Sequence, residues 1–252
     1  MKAGIPYHVS VSAPGFATWT SNEIILRQGQ FFILTGINLR LARVEVTVTV
    51  VPSDVLATEQ VKAQEQQRIA GVIPNFFVVY EHNAVPLTPK LKFHLAFKFL
   101  VDPVTNAGFA LNAALYQAGG YPGYSQDTKG FFQRLGATYA GGYTDVLVGN
   151  AVLPSLLHQD PRYFYQGTGT KMSRLLHALS TPFITRGDDG RREFNFSDIG
   201  GNLVSGAIAN AYYPDKDRGV RLVVRSALIG AGGRAAAAVA QEFLLHKFTS
   251  RH

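Results

Sequence analysis

The chain of 252 residues contains no cysteine, which excludes disulfides, thiolate metal sites and cysteine nucleophiles together. Charge is also scarce: 16% of the residues are Asp, Glu, Lys or Arg, against ~25% in an average globular protein. Such a chain either has a large interior or lays part of its exterior against something other than water. No stretch offers the ~20 uninterrupted apolar residues that cross a bilayer. Arg134 and Asp145 break one candidate helix and Arg225 and Arg234 break another, so ordinary spanning helices are not expected. The N-terminus, MKAGIPYHVSVSAPGF, lacks the apolar core of a secretory signal, so a location outside the cytoplasm implies a start upstream of Met1. There is no internal repeat and no acidic or glutamine-rich tail.

What is present is the composition of a folded protein, 46% hydrophobic and 12% aromatic, long enough for one large domain or two small ones. Lys and Arg outnumber Asp and Glu, 24 to 17, a net charge of +7. That excess favours anionic partners such as phospholipid headgroups, anionic glycans or nucleic acid. Nucleic acid is set aside, because the basic residues are dispersed and no RNA- or DNA-binding motif occurs.

Residues 7 to 51 have strand character. Tyr7-His8-Val9-Ser10-Val11 alternates, Ala13-Pro14-Gly15 marks a turn, Glu23 to Arg27 precedes Gln28-Gly29-Gln30, and Phe31 to Leu41 alternates again. Val44-Glu45-Val46-Thr47-Val48-Thr49-Val50 separates an apolar face from a polar one. Four short antiparallel strands are predicted, part of a sandwich, since such a domain uses about seven strands to cover both faces. The stretch YHVSVSAPGFATWTSNEIILRQGQFFILTGINLRLA resembles the last half of a carboxypeptidase regulatory-like domain, a transthyretin-like β-sandwich. Tyr7, Val9, Val11, Ala13, Gly15 and Phe16 fit that family's Y-x-V-x-V-x-A-x-G-F, and Gly29 and Gln30 fit its L-x-x-G-Q. Its earlier strands, with the opening G-x-V-x-D-x-x-G, are absent, which points to a fragment or an upstream start. The resemblance implies a structural and adhesive module without a catalytic residue.

Pro52-Ser53-Asp54 ends the strands, and the polar run EQVKAQEQQRIAG predicts a linker helix that stops at Gly71, ahead of Pro74. Residues 75 to 89 are extended and apolar. Helices are predicted over Pro89 to Val101, Pro103 to Gln117, Lys129 to Leu157, Lys171 to Thr181, Ser197 to Tyr212 and Gly219 to Phe248. Thr88-Pro89 and Asp102-Pro103 place a cap before a proline, and Ser197 and Asp217 are capping types. The expected class is α+β: a small partial antiparallel β-sandwich at 1–52, a linker helix at 53–74 and a glycine-rich α-helical domain at 75–252.

Small residues recur four apart inside these helices: Gly136 and Ala140; Gly141 and Asp145; Gly201, Ser205 and Ala209; Ala227, Ala231 and Ala235. An interior glycine costs roughly 1 kcal/mol relative to alanine. Close approach of helices offsets that cost, in membrane bundles and in tightly packed soluble ones alike. KLKFHLAFKFLV, with Lys90, Lys92 and Lys98 among Phe93, Phe97 and Phe99, fits either an interfacial surface helix or a core helix whose lysines reach out to water.

The polar cluster in LLHQDPRYFYQGTG supports two roles. His158 and Asp160 could act as base and carboxylate, with Arg162 and Tyr163 binding an anion. Residues two apart on a helix face different ways, however, and each side chain also fits a junction between helices, with His158 at one helix end, Asp160 as a cap and Pro161 opening the next turn. Either role leaves His158, Asp160, Arg162 and Tyr163 as candidate ligand-binding residues, with no catalytic residue assigned. Arg218, Arg221 and Arg225 fall three and four apart near the start of the last helix, where cations oppose the helix dipole. They are candidate anion- or lipid-binding residues, unless Asp215 and Asp198 pair with them. No HExxH or other paired-histidine spacing suggests a metal site, Ser155 lacks a G-x-S-x-G elbow, and Gly230-Ala231-Gly232-Gly233 follows no strand, so no metal or cofactor is expected.

The stretches GVIPNFFVVYEHNAVPLTPKLKF, LPSLLHQDPRYFYQGTG, YYPDKDRGV and QEFLLHKF resemble an uncharacterised bacterial helical domain that follows such β-modules, a resemblance that implies location and no activity. The resulting expectation is a non-enzymatic, extracytoplasmic protein of the cell envelope, possible at the outer membrane. It would form homo-oligomers or rest on an anionic lipid or glycan surface through its helical domain. The alternative is an envelope hydrolase with its site around His158, Asp160, Arg162 and Tyr163.

Overall fold

The computed structural model describes residues 4–41, 53–81 and 83–250. The chain is α+β and divides into two compact units, Met1–Val50 and Val51–His252.

In the first unit, β1 (Pro6–Tyr7) pairs antiparallel with β4 (Ile24–Ile25), and β2 (Ser10–Val11) with β3 (Trp19–Thr20). Together they make one interrupted hairpin. Ser21 bridges the interruption: its N–H donates to the Val9 carbonyl (2.9 Å) and its Oγ accepts from the Val9 N–H (3.0 Å). The strand expected over Phe31 to Leu41 is not formed. Only Leu41 bridges to Phe16, and Phe31 is 83% exposed. A strand needs a ladder partner, and the hairpin pairs with itself. The segment Val44 to Val50 lies outside the described residues.

The second unit opens with α1 (Ser53–Gln64), which is part of its core and not a linker: Ala57, Val61 and Gln64 are buried, and Val61 packs with Phe76, Leu87 and Leu95. Gly71, expected to stop this helix, instead turns the hairpin between β5 (Arg68–Ile69) and β6 (Ile73–Pro74), where φ is +72°. α2 (Pro89–Leu100) and α3 (Pro103–Ala118) start at their predicted caps. Thr88 Oγ1 accepts from Leu91 N–H, and the Asp102 carboxylate accepts from Val104 and Thr105 N–H while pairing with Arg68 at 2.6 Å.

The helix predicted over Lys129 to Leu157 is α4 (Thr128–Leu147), a π turn at Val148–Val152, and α5 (Leu153–Leu156). Pro154 explains the wider turn, because its ring would crowd the carbonyl four residues back in a regular helix. α6 (Lys171–Ser180) is capped by Thr170. α7 (Phe196–Ala209) is capped by Asn195 and not by Ser197, whose N–H and hydroxyl both donate to Gln159 Oε1. α8 (Val220–Phe243) starts after Gly219 without a side-chain cap; Asp217 accepts from the Gly123 N–H instead.

Helix α2 is the hub of the core. Leu95 lies in the cluster with Val61, Phe76 and Leu87, while Ala96 and Leu100 pack with Val146 and Ala151. The interfacial option for this segment is thereby corrected: Lys92 is fully buried and bonded to Asp188 (2.8 Å) and the Pro154 carbonyl (3.1 Å). Helix α7 packs on α8 and on α4, α3 on α4, and α6 on α8. Where α7 packs on α4 and on the π turn that follows it, small residues face one another. A Cβ on Gly201 would come within 2.5 Å of the Gly149 Cα, and Ser205 Oγ donates to the Gly141 carbonyl at 3.1 Å. Gly136 and Ala140 are exposed, and nothing lies within 4 Å of a Cβ placed on Gly136, so that pair forms no packing ridge.

Candidate functional site

The junction Leu156 to Gly169 is built from strands. β8 (Gln159–Asp160) pairs antiparallel with β10 (Ile184–Gly187), and β9 (Tyr163–Phe164) runs parallel to β7 (Val78–Val79). Asp160 caps no helix. It is buried in an ion pair with Arg162 (2.6 Å), which also donates to the Val85 carbonyl at 2.7 Å. His158 is 81% exposed at its side chain, at φ +56°, with Nδ1 3.8 Å from Asp188. Tyr163 donates to Glu242 at 2.6 Å. Asp160 is therefore committed to Arg162, and His158 lies towards a different acid.

Glu242 closes a second buried cluster. Besides Tyr163, its carboxylate accepts from Arg174 Nε (2.7 Å) and from the N–H groups of Gly167 (2.8 Å) and Gln166 (3.2 Å). Burial pushes its carboxyl upward, but those bonds together hold it below the usual glutamate range. Burial and the adjoining Glu242 raise the Tyr163 phenol. Every oxygen of this carboxylate is occupied, so the cluster ties β9, α6 and α8 together.

Arg218, Arg221 and Arg225 are not one stripe. Arg218 precedes α8 and pairs with Asp215 at 2.8 Å. Arg221 and Arg225 are exposed on the first turns of α8, with Arg225 stacked over the Tyr121 ring at 3.8 Å. Asp198, expected as a partner, is paired with Arg234 at 2.7 Å. Beyond Arg225 the exposed face of α8 continues as Leu228, Ile229, Gly232, Gly233, Ala236 and Ala237, with no charge. By length and apolar composition alone α8 reaches the range of a membrane span, and little of it is buried inside the protein. The two arginines that argued against a span sit at its start and against Asp198.

Helix α6 buries Ala178 but turns part of its polar side inward and part of its apolar side outward. Arg174 and His177 point inward, to Glu242 and to the Phe164 carbonyl (2.8 Å), while Met172, Leu176 and Leu179 are exposed. Phe183 and Ile184 extend that exposed face into β10, and Phe194 and Phe196, stacked 4.8 Å apart, are exposed as well. The spacing 172, 176, 179, 183 is an ordinary amphipathic stripe; which side it faced was not evident from spacing.

Between α3, α4, α7 and α8 lies a cavity of about 240 Å³. Asn112, Thr138, Asp145, Asn202, Ser205 and Ser226 line its polar side. The Asp145 carboxylate makes no hydrogen bond or ion pair among the described residues, and burial, then the charge of Asp198, pushes it up to about 6 against the pull of Arg234. It can accept or donate a proton near neutrality, and among the described residues on the cavity wall no second acid accompanies it. Among the described residues no three His, Asp or Glu side chains form a metal-binding group. Compared with protein-family models, curated proteins and solved structures, the chain matches none of them.

Proposed function

We propose that the chain is a non-enzymatic cell-envelope protein whose helical unit rests on an anionic membrane surface. The observation that carries this reading is the orientation of α6, whose Arg174 and His177 turn into the protein while Met172, Leu176 and Leu179, continued by Phe183 beyond its end, face out. A water-exposed helix has the opposite arrangement. The uncharged outer face of α8, headed by Arg221 and Arg225, supports it: apolar residues flanked by cations suit an interface with anionic lipid. The first unit is read, from its sequence resemblance alone, as part of a β-module of the carboxypeptidase regulatory-like kind.

Flotation with vesicles tests the reading. The protein should rise with phosphatidylcholine vesicles that contain phosphatidylglycerol, and much less with phosphatidylcholine alone. Leu176→Glu with Leu179→Glu changes two exposed positions and leaves the core untouched, so the variant should fold and stay at the bottom of the gradient. A wild-type protein that forms defined oligomers and ignores vesicles would place a second copy, not lipid, on these faces.

A further inference from the structure

The hairpin of β10 with β11 (Arg192–Phe194) sets Arg186 directly opposite Arg192. Like charges facing each other across a ladder are destabilising. Among the described residues neither arginine has an ion pair or a side-chain hydrogen bond. Arg186 sits over the Phe164 ring, its guanidinium carbon 4.1 Å from the centroid, and burial, followed by the charge of Arg192, lowers its hold on its proton.

Beside this pair is a small cavity of about 40 Å³. Arg162, Arg186, Arg192, Arg234 and His177 are on its wall, and no acid is. Arg162 and Arg234 are already matched by Asp160 and Asp198. The hydroxyls of Ser180 and Thr181 donate to the backbone carbonyls of His177 and Ala178, and His177 Nε2 is bonded to the Phe164 carbonyl. On the other edge of β10 Arg186 faces Asp160, whose charge works against that lowering but whose carboxylate is bonded to Arg162. The guanidiniums left without a bonded acid are therefore those of Arg186 and Arg192. The space holds a few water molecules or one compact oxyanion and is too small for a nucleotide. Ile184 and Arg192 on its wall are exposed.

The geometry points to a phosphate-oxyanion site between Arg186 and Arg192, its ligand either the phosphodiester of a phospholipid headgroup or free phosphate. Paired guanidiniums match tetrahedral oxyanions through forked, charge-assisted hydrogen bonds. The site deepens the membrane reading and rests on it only for the lipid source.

Thermal unfolding in rising inorganic phosphate, at constant ionic strength set with chloride, tests it. The wild-type protein should show a saturable rise in Tm. Arg186→Gln with Arg192→Gln should lose the rise, while Lys171→Gln with Arg191→Gln, which removes two exposed charges outside the cavity, should keep it. Arg192→Gln alone, at an exposed position, should weaken phosphate binding by about tenfold or more, the order expected for one charge-assisted bond. No saturable rise in wild type, or equal losses in the two double variants, overturns the site. Flotation separates the sources. Loss of vesicle binding in Arg186→Gln with Arg192→Gln marks a headgroup as the ligand; unchanged flotation with a lost phosphate response marks free phosphate. A phosphate response in a protein that never floats leaves the oxyanion site standing and removes the membrane reading.

Discussion

Asp145 is the side chain through which pH acts most directly on stability. Burial pushes its folded carboxyl up to about 6, from 3.8 for an ordinary aspartate. Between those values the folded chain binds the extra proton, so this carboxyl's contribution to stability is fully present below about pH 4 and is lost as pH rises through 6. A gap of that size corresponds to ~3 kcal/mol, and the partial exposure of the carboxylate reduces it to ~2 kcal/mol. Asp145→Asn should remove this decline and gain ~1–2 kcal/mol at pH 7, read from urea unfolding at pH 4.5 and pH 7. A variant that unfolds like wild type at both pH values would show that the cavity leaves this carboxylate well hydrated. Glu242 behaves in the opposite way, because its charge is fully bonded. Glu242→Gln should cost ~3 kcal/mol or more at neutral pH, since Arg174 would remain without its carboxylate. That loss should shrink in acid, as the wild-type carboxylate is itself protonated.

At the scale of elements, two glycines in adjoining helices predict opposite outcomes. Gly201→Ala would drive a methyl into the Gly149 backbone and should destabilise by ~1–3 kcal/mol. Gly136→Ala meets open space on an exposed helical face and should stabilise by ~0.5–1 kcal/mol. Thermal denaturation of the two variants side by side checks the sign of each. The four-residue spacing of Gly201, Ser205 and Ala209 was visible in the sequence, as were the starts of α2 and α3, because cap and proline signals are local. The strand at Gln159–Asp160 was not. Its ladder partner is Arg186–Gly187, more than twenty residues on, and the segment offered only helix-end chemistry of its own. The candidate site was partly legible for the same reason. Arg221 and Arg225 could be placed on one helix by spacing, whereas the outward aim of Met172 and Leu176 depends on Glu242 drawing Arg174 inward from α8. The cross-strand meeting of Arg186 with Arg192 needs the hairpin register, which no spacing rule supplied.

For the whole molecule, a net charge of +7 and an exposed apolar surface on α6 and α8 should make vesicle binding both salt-sensitive and composition-sensitive. Arg221→Gln with Arg225→Gln should weaken binding to anionic vesicles by roughly tenfold or more, at about 1 kcal/mol for each basic residue near the surface. Co-sedimentation at 50 and 500 mM salt checks this: wild type should approach the variant as salt rises. If the two stay apart at high salt, the arginines act through contacts other than charge.

The end of the described chain is stitched back onto the opening of the second unit. The Ser250 N–H donates to the Arg68 carbonyl, and Tyr80 and Asn75 both donate to Thr249. Partners separated by 182 positions can meet only after the ribosome has released nearly everything between them. A nascent polypeptide stalled before residue 249 would thus carry its exposed apolar helices without this fastening, the kind of partly assembled chain that is prone to aggregate.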